Sequence, residues 1–202
     1  MKWFAAATFV FFLCAGTAGA SVADSPQALV RQTSERMLAA LKDNHEAIAK
    51  DPGKLYGLIK DIVLPHFDFR RMSRWALGRA WRQATPDQRK RFVAEFQTLL
   101  VRTYGSALQQ YRDQKVQYLP VRMDPGATDV NVRTEVQRSG GPPIPIDYGM
   151  EKTRDGWKVY DVAVDGISLV SNYRSTFTSE VRSHGLDGLI DMLAKRNHKA
   201  DS

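Results

Sequence analysis

Four histidines come first among residues that could do chemistry: His45, His66, His184 and His198. A zinc hydrolase helix needs two histidines four residues apart with a glutamate after the first, and no pair here has that spacing. His66, beside Phe67-Asp68, is the only one near a dense apolar stretch, and it reads as a structural or partly exposed imidazole. Gly166-Ile167-Ser168-Leu169-Val170 begins like the turn that presents a serine nucleophile, but it lacks the second glycine. Ser168 also leads from an antiparallel strand pattern into a helical one, where a serine caps the helix. Asp161 and Asp165 stand four apart with no base to complete an acid–base pair. Phosphate-cradling glycine loops and calcium loops are missing. No catalytic residue, no metal site and no cofactor is expected.

The elements that would position a site follow an N-terminal address. Lys2 precedes an apolar run from Trp3 to Leu13, and small residues lead to Ala18-Gly19-Ala20. This is the pattern of a secretory signal peptide over residues 1–20, with Ser21-Val22-Ala23 as the alternative cleavage site. The run is shorter than the ~20 apolar residues a membrane span needs. Cleavage removes Cys14, the only cysteine, leaving no disulfide, thiol nucleophile or cysteine metal site. It takes only Lys2 of the 29 basic residues and none of the 22 acidic ones. An exported chain rarely meets nucleic acid, so the charge suits anionic lipid headgroups, acidic protein surfaces or plain solubility.

The 202 residues, 43% hydrophobic and 25% charged, suffice for one domain with a real core, here residues 21–195 before a polar tail at 196–202. Residues 25–114 read as helical. Asp24 or Ser25 caps a first helix with Pro26 at its first position, Asp51-Pro52 restarts the chain, and Pro65 ends the next helix. Thr85-Pro86-Asp87-Gln88 is a capping box in front of Phe92, Phe96, Leu99, Leu100, Tyr104, Leu108 and Tyr111, spaced by three or four. Continuous to Tyr111, that amphipathic helix would be about 40 Å long.

The period then becomes two. Strands are expected over Val116–Met123, interrupted by Pro120, around Val130–Val136, around Ile144–Met150 and over Trp157–Val164. Ser139-Gly140-Gly141-Pro142 and Arg154-Asp155-Gly156 supply turns. Helix resumes at Ser168 and breaks at Gly185. The order predicts an α+β fold: a four-stranded antiparallel meander with N- and C-terminal helices packed on one face around an apolar pocket. Phe67, Phe69, Met72, Trp75, Leu77 and Trp81 crowd one short segment. Periodicity alone does not separate a filled core from a cavity lined by the same residues.

The ordered motifs resemble one family. Phe67-Asp68-Phe69, Leu77-Gly78-x-x-Trp81-Arg82, Gln88-x-x-x-Phe92-x-x-x-Phe96, Gly156-Trp157-Lys158-Val159-Tyr160-Asp161-Val162, Gly166-Ile167-Ser168-Leu169 and Asn172-Tyr173-Arg174-x-x-Phe177 follow one another as in the MlaC, or toluene-tolerance, family. The likeness runs from about Ser25 to Leu193. It implies an NTF2-like fold and a periplasmic phospholipid carrier acting between an outer-membrane lipoprotein–porin complex and an inner-membrane MCE-domain ABC transporter, to maintain outer-membrane lipid asymmetry. Phospholipid would be the carried ligand, with no nucleic acid partner, and a shuttle is expected to be a monomer. On that reading Phe67, Phe69, Met72, Phe92, Phe96, Leu99, Leu100 and Tyr104 form a helical wall, and Tyr148, Val159, Tyr160, Val162 and Ile167 face it from the sheet. Val159 and Tyr160 are neighbours on a strand, so only one can face inward. Arg70, Arg71, Arg74, Arg79 and Arg82 either flank the mouth or form a solvated face toward acidic partners. The residues themselves also admit an interaction module with a filled core and no lipid.

Overall fold

A computed structural model describes residues 25–111, 114–138 and 140–199; the leader with its cleavage sites, and Ser139 of one turn, lie outside these. Helix α1 (Pro26–Asp43) starts where Pro26 presets the backbone and the Ser25 hydroxyl accepts the Ala28 N–H at 3.1 Å. Short helices α2 (His45–Lys50) and α3 (Gly53–Leu58) follow. The chain then widens into a π-helical stretch over Ile59–Val63 and tightens to a 3-10 turn over Leu64–His66, where Pro65 stops helical bonding. Helix α4 (Phe69–Leu77) is capped by the Asp68 carboxylate, which accepts the Arg71 N–H at 2.8 Å. Gly78, with φ 55°, turns the chain into α5 (Arg79–Gln83), a conformation that favours glycine.

Helix α6 (Pro86–Gly105) opens with the anticipated capping box: the Thr85 hydroxyl accepts the Gln88 N–H at 3.1 Å and the Gln88 side chain accepts the Thr85 N–H at 3.0 Å. It does not run straight to Tyr111. The α-helix ends at Gly105 and the backbone tightens to 3-10 over Ser106–Tyr111, so the regular part spans about 30 Å. Gly105 sits where a Cβ would lie 2.9 Å from the Ile59 side chain, so the π-helical stretch and the end of α6 meet closely there.

Strands β1 (Val116–Tyr118), β2 (Asp129–Val136), β3 (Ile144–Thr153) and β4 (Gly156–Val164) form the meander in sequence order. β1 stops before Pro120, earlier than the expected Met123. A fifth strand, β5 (Ile167–Ser168), folds back on the end of β4 through Asp165 (φ 52°) and Gly166 (φ 77°). Two successive positive φ angles make the tight hairpin turn that Asp-Gly favours. The Ser168 hydroxyl then accepts the Ser171 N–H at 3.0 Å at the start of α7 (Leu169–Lys199). Gly185, with φ 72°, kinks that helix at the anticipated break. Helix also continues past Lys195: Asn197 is buried and donates to the Glu95 backbone and carboxylate at 3.0 and 2.7 Å.

The apolar interior is divided into three clusters. Met72, Leu77, Trp81, Phe92, Phe96 and Leu99 meet Phe177, Leu189 and Leu193 between α4, α5, α6 and α7. Val130, Val132, Met150, Trp157, Val159 and Val162 line the inner sheet face beneath Val30 of α1. Met37 and Leu41 of α1 pack on Leu55, Ile59 and Ile62. No helix among the described residues is long and apolar enough to cross a membrane.

Candidate functional site

The inner sheet face is set by alternation and corrected by one bulge. β2 turns Val130, Val132, Thr134 and Val136 inward, and β3 turns Ile146, Tyr148 and Met150 the same way. Between β3 and β4 the register steps from Gly149↔Asp161 to Met150↔Val159, which leaves Tyr160 without a partner. The extra residue shifts the parity of β4, so Val159 and Val162, three apart, both face the cluster. Tyr160 falls on the outer face, its ring over Gly149, where any Cβ would lie 3.1 Å away. A strand without a bulge admits only one parity; the bulge turns both Val159 and Val162 inward and leaves Tyr160 on the other face.

The thirteen residues expected to line a pocket therefore separate. Phe92, Phe96, Met72, Leu99 and Leu100 belong to the helical cluster, 0–7% exposed. The ring of Phe96 stacks on Phe92 at 5.6 Å and meets Tyr173 and Phe177 edge-on at 5.7 and 5.5 Å. These side chains pack α6 on α7. Tyr148, Val159 and Val162 belong to the sheet cluster. Ile167, the first residue of β5, is 62% exposed and faces solvent.

Phe67 joins the two groups. The segment before α4 lies along the free edge of β4, where Phe67 bridges Val159 and the Asp68 N–H donates to the Val159 carbonyl at 2.8 Å. Half-buried, it packs against both the helical and the sheet clusters and stacks on Phe69 at 5.8 Å. Domains of this size usually have one contiguous core. Here the buried residues of sheet and helices form separate clusters, and half-buried apolar residues pack against each: Phe67, Phe69 and Tyr104 on the helical side, Ile146, Tyr148 and Val164 on the sheet.

Burial shifts polar groups near these residues toward their neutral forms. Burial pushes the Tyr148 phenol up to about 12, and its hydroxyl is hydrogen-bonded to Thr134, itself buried and donating to the Ile146 carbonyl at 3.1 Å. Burial also raises the Tyr104 phenol, which interacts with Tyr173 and Asn172. His66 is held below the ordinary imidazole value by burial, then by Lys158 and Arg36. Of the residues considered for chemistry, Asp161 and Ser168 are tied to the backbone, as is Asp68 beside His66. Asp68 and Ser168 cap helices, and Asp161 accepts the Val162 N–H at 2.9 Å. No group of three metal-ligating side chains occurs among the described residues.

Sequence reasoning missed the outer face. Arg71, expected at a mouth or on a solvated face, is instead tied down with its side chain 17% exposed. Its guanidinium binds Asp129 at 2.8 Å, pairs with Glu151, and lies 3.6 Å over the Tyr160 ring. Tyr160 donates to Asp129 at 2.7 Å and meets Trp75 edge-on at 5.3 Å. Burial, then that carboxylate, pushes the Tyr160 phenol up to about 12. The only sequence signal was the run of arginines, and nothing in it distinguishes Arg71 from its neighbours.

The fold defines a class: an α+β domain whose open antiparallel sheet is covered by helices, with its buried apolar residues in separate helical and sheet clusters. The MlaC protein family profile matches residues 31–195, and the chain belongs to that family. It is 27% identical to the intermembrane phospholipid transport system binding protein MlaC of Haemophilus influenzae, over 94% of this chain and 90% of that one. It is 29% identical to toluene tolerance protein ttg2D of Pseudomonas putida, over 89% and 86%. A solved structure of a phospholipid-binding protein from Ralstonia solanacearum, in complex with a phospholipid, superposes with a TM-score of 0.80 at 36% identity, covering 87% of this chain and 98% of that one.

Proposed function

We propose that this chain is a phospholipid carrier that holds acyl tails in the seam between its sheet and its helices. The observation that carries the reading is the divided apolar interior, with Phe67 and Tyr148 half-buried on its borders. Likeness to a protein solved with a bound phospholipid supports it. Two tails, on the order of 30 methylenes at ~0.8 kcal/mol each, would gain about 24 kcal/mol gross, of which ordering and desolvation take back much. A ligand so held survives purification, and its release then needs a partner that favours an opened state.

On this proposal residues 1–20 are a secretory leader and the mature chain works in the periplasm as a monomer, without a cofactor. It would carry phospholipid between an outer-membrane lipoprotein–porin complex and an inner-membrane MCE-domain ABC transporter, maintaining lipid asymmetry. Family membership and the relatives' names support this route. A non-catalytic role is supported by Asp68, Asp161 and Ser168, whose side chains already hold backbone amides. The test is native mass spectrometry of the mature chain purified without detergent, followed by solvent extraction. A discrete added mass that extracts as diacyl phospholipid is expected. A bare polypeptide that takes up no added phospholipid refutes the carrier and leaves an interaction module.

A further inference from the structure

Six guanidinium groups gather around the turn between α4 and α5 with no carboxylate paired to any of them. Arg70 and Arg89 lie over the Trp81 ring, 5.6 and 5.3 Å from its centroid. Arg89 is fixed there by donating Nε–H to the Trp81 carbonyl at 3.0 Å. Arg174 of α7 brings its guanidinium to within 3.4 Å of where a Cβ would stand on Gly78. Arg74, Arg79 and Arg82 are exposed on α4 and α5. None of the six makes an ion pair among the described residues. Acids of the adjoining elements are engaged elsewhere: Asp68 caps α4, Asp87 and Asp187 both hold Arg91, Glu95 accepts from Asn197, and Glu180 pairs with His184; Asp191 of α7 makes no ion pair with any of the six. Beside the arginines Trp75 is 44% exposed, the one large exposed hydrophobic of α4 and α5.

Like charges held this close repel, and an anion relieves the repulsion. Guanidinium forks match phosphate oxygens two at a time. An acidic protein surface would supply anions too, but a stable protein interface centres on a desolvated apolar patch, and this face offers a single indole. An exposed tryptophan among cations instead suits the headgroup layer of a bilayer, where indoles concentrate. We propose that the α4–α5 face docks this protein on bilayers that contain anionic phospholipid. The inference goes beyond lipid carriage and does not depend on it: an empty protein would dock as well.

The experiment is vesicle flotation of the purified mature protein. Vesicles are phosphatidylcholine alone or with about a third phosphatidylglycerol, at roughly 50 and 300 mM salt, which shortens the screening length from about 14 to about 6 Å. Binding to the anionic vesicles only, lost at the higher salt, is expected. The combined Arg74→Glu, Arg79→Glu, Arg82→Glu variant should bind on the order of 100-fold more weakly or worse, and Trp75→Ser severalfold more weakly. A control reversing Arg133, Lys152 and Arg154 on the sheet, which are exposed, changes net charge equally and should keep most of the binding. Circular dichroism checks each fold, and Arg79→Glu alone replaces the triple variant if that one unfolds. Failure to bind anionic vesicles, equal binding to neutral ones, or an equal loss in the sheet control overturns the proposal. So does binding to polyglutamate without binding to vesicles, which reassigns the face to an acidic protein. Native mass spectrometry of the same samples reads lipid occupancy separately, so the two proposals fail independently.

Discussion

Replacing Arg71 with methionine keeps most of the side chain's length and apolar stem but removes the cation that joins α4 to the ends of β2 and β3. Two carboxylates then lose their partner: Glu151, with its side chain 22% exposed, and Asp129, 53% exposed. Stranding a fully buried charge costs ~3–5 kcal/mol. Asp129 can return to water, so its share is small, near the surface-pair range of ~0–1 kcal/mol. Glu151 is less able to do so, and the stacking of the guanidinium on Tyr160 adds ~0.5–1 kcal/mol. The expected loss is about 2 kcal/mol, which moves a urea midpoint by about 1 M for a slope of ~2 kcal/mol/M. Arg71→Lys keeps the charge but not the fork, and should fall between. Adding Glu151→Gln to Arg71→Met removes the stranded charge and should recover about half of the loss, a coupling that a double-mutant cycle reads directly. A shift under ~0.5 kcal/mol for Arg71→Met, or no recovery in the double variant, would show that the network does not hold α4 to the sheet.

Three further outcomes follow from the same structure. Phe67→Ala and Tyr148→Ala, on the two borders of the seam, should lower co-purified phospholipid measured by extraction, whereas Phe96→Leu in the helical cluster should leave lipid content near that of the parent protein while destabilising the fold; the reverse ranking would move the ligand to the helices. Thr85→Ala removes one half of the capping box of α6 and should cost about 1 kcal/mol in chemical unfolding. His66 has a folded-state value below 6.5, so the unfolded chain takes up its proton first. Its contribution is thus complete above pH 6.5 and is lost as pH falls from there through the folded value. His66→Gln should flatten the pH dependence of stability in that window, and an unchanged curve would show that the imidazole is not desolvated.

Local signals in the sequence were enough for much of the frame. Ser25-Pro26, Thr85 with Gln88, Ser168 and Gly185 each act through their own backbone neighbours, and each sits where its chemistry suggested. The alternation of β2 likewise needs only its own residues. The bulge at Tyr160 was hidden because it is a property of a strand pair: it depends on how β4 meets β3, and Gly149 across the ladder is what leaves the ring room. Asp165-Gly166 is a hairpin signal, but only two residues follow it in β5, too few to show a period of two. Arg71 reaches partners 58 and 80 residues away, and no spacing rule foresees contacts at that range. The aromatic stripe of α6 was legible as a buried face, but the sequence did not say that α7, and not the sheet, covers it.

That last pairing has a consequence for how the chain is made. Phe92, Phe96, Leu99 and Leu100 find their cover in α7, and Glu95 meets Asn197 across 102 residues of chain. During synthesis α6 is complete long before its partner exists. At ~5–20 residues per second, the stretch from Gly105 to Lys199 takes on the order of 5–20 s. Through that interval a helix with an aromatic stripe stands open while the hairpins of the sheet, whose partners are adjacent in sequence, can already close. Whether it emerges from a ribosome or from a membrane channel, the chain exposes this stripe until its last thirty residues arrive, and a chain cut short after β4 would keep a sheet beside an uncovered, aggregation-prone helix.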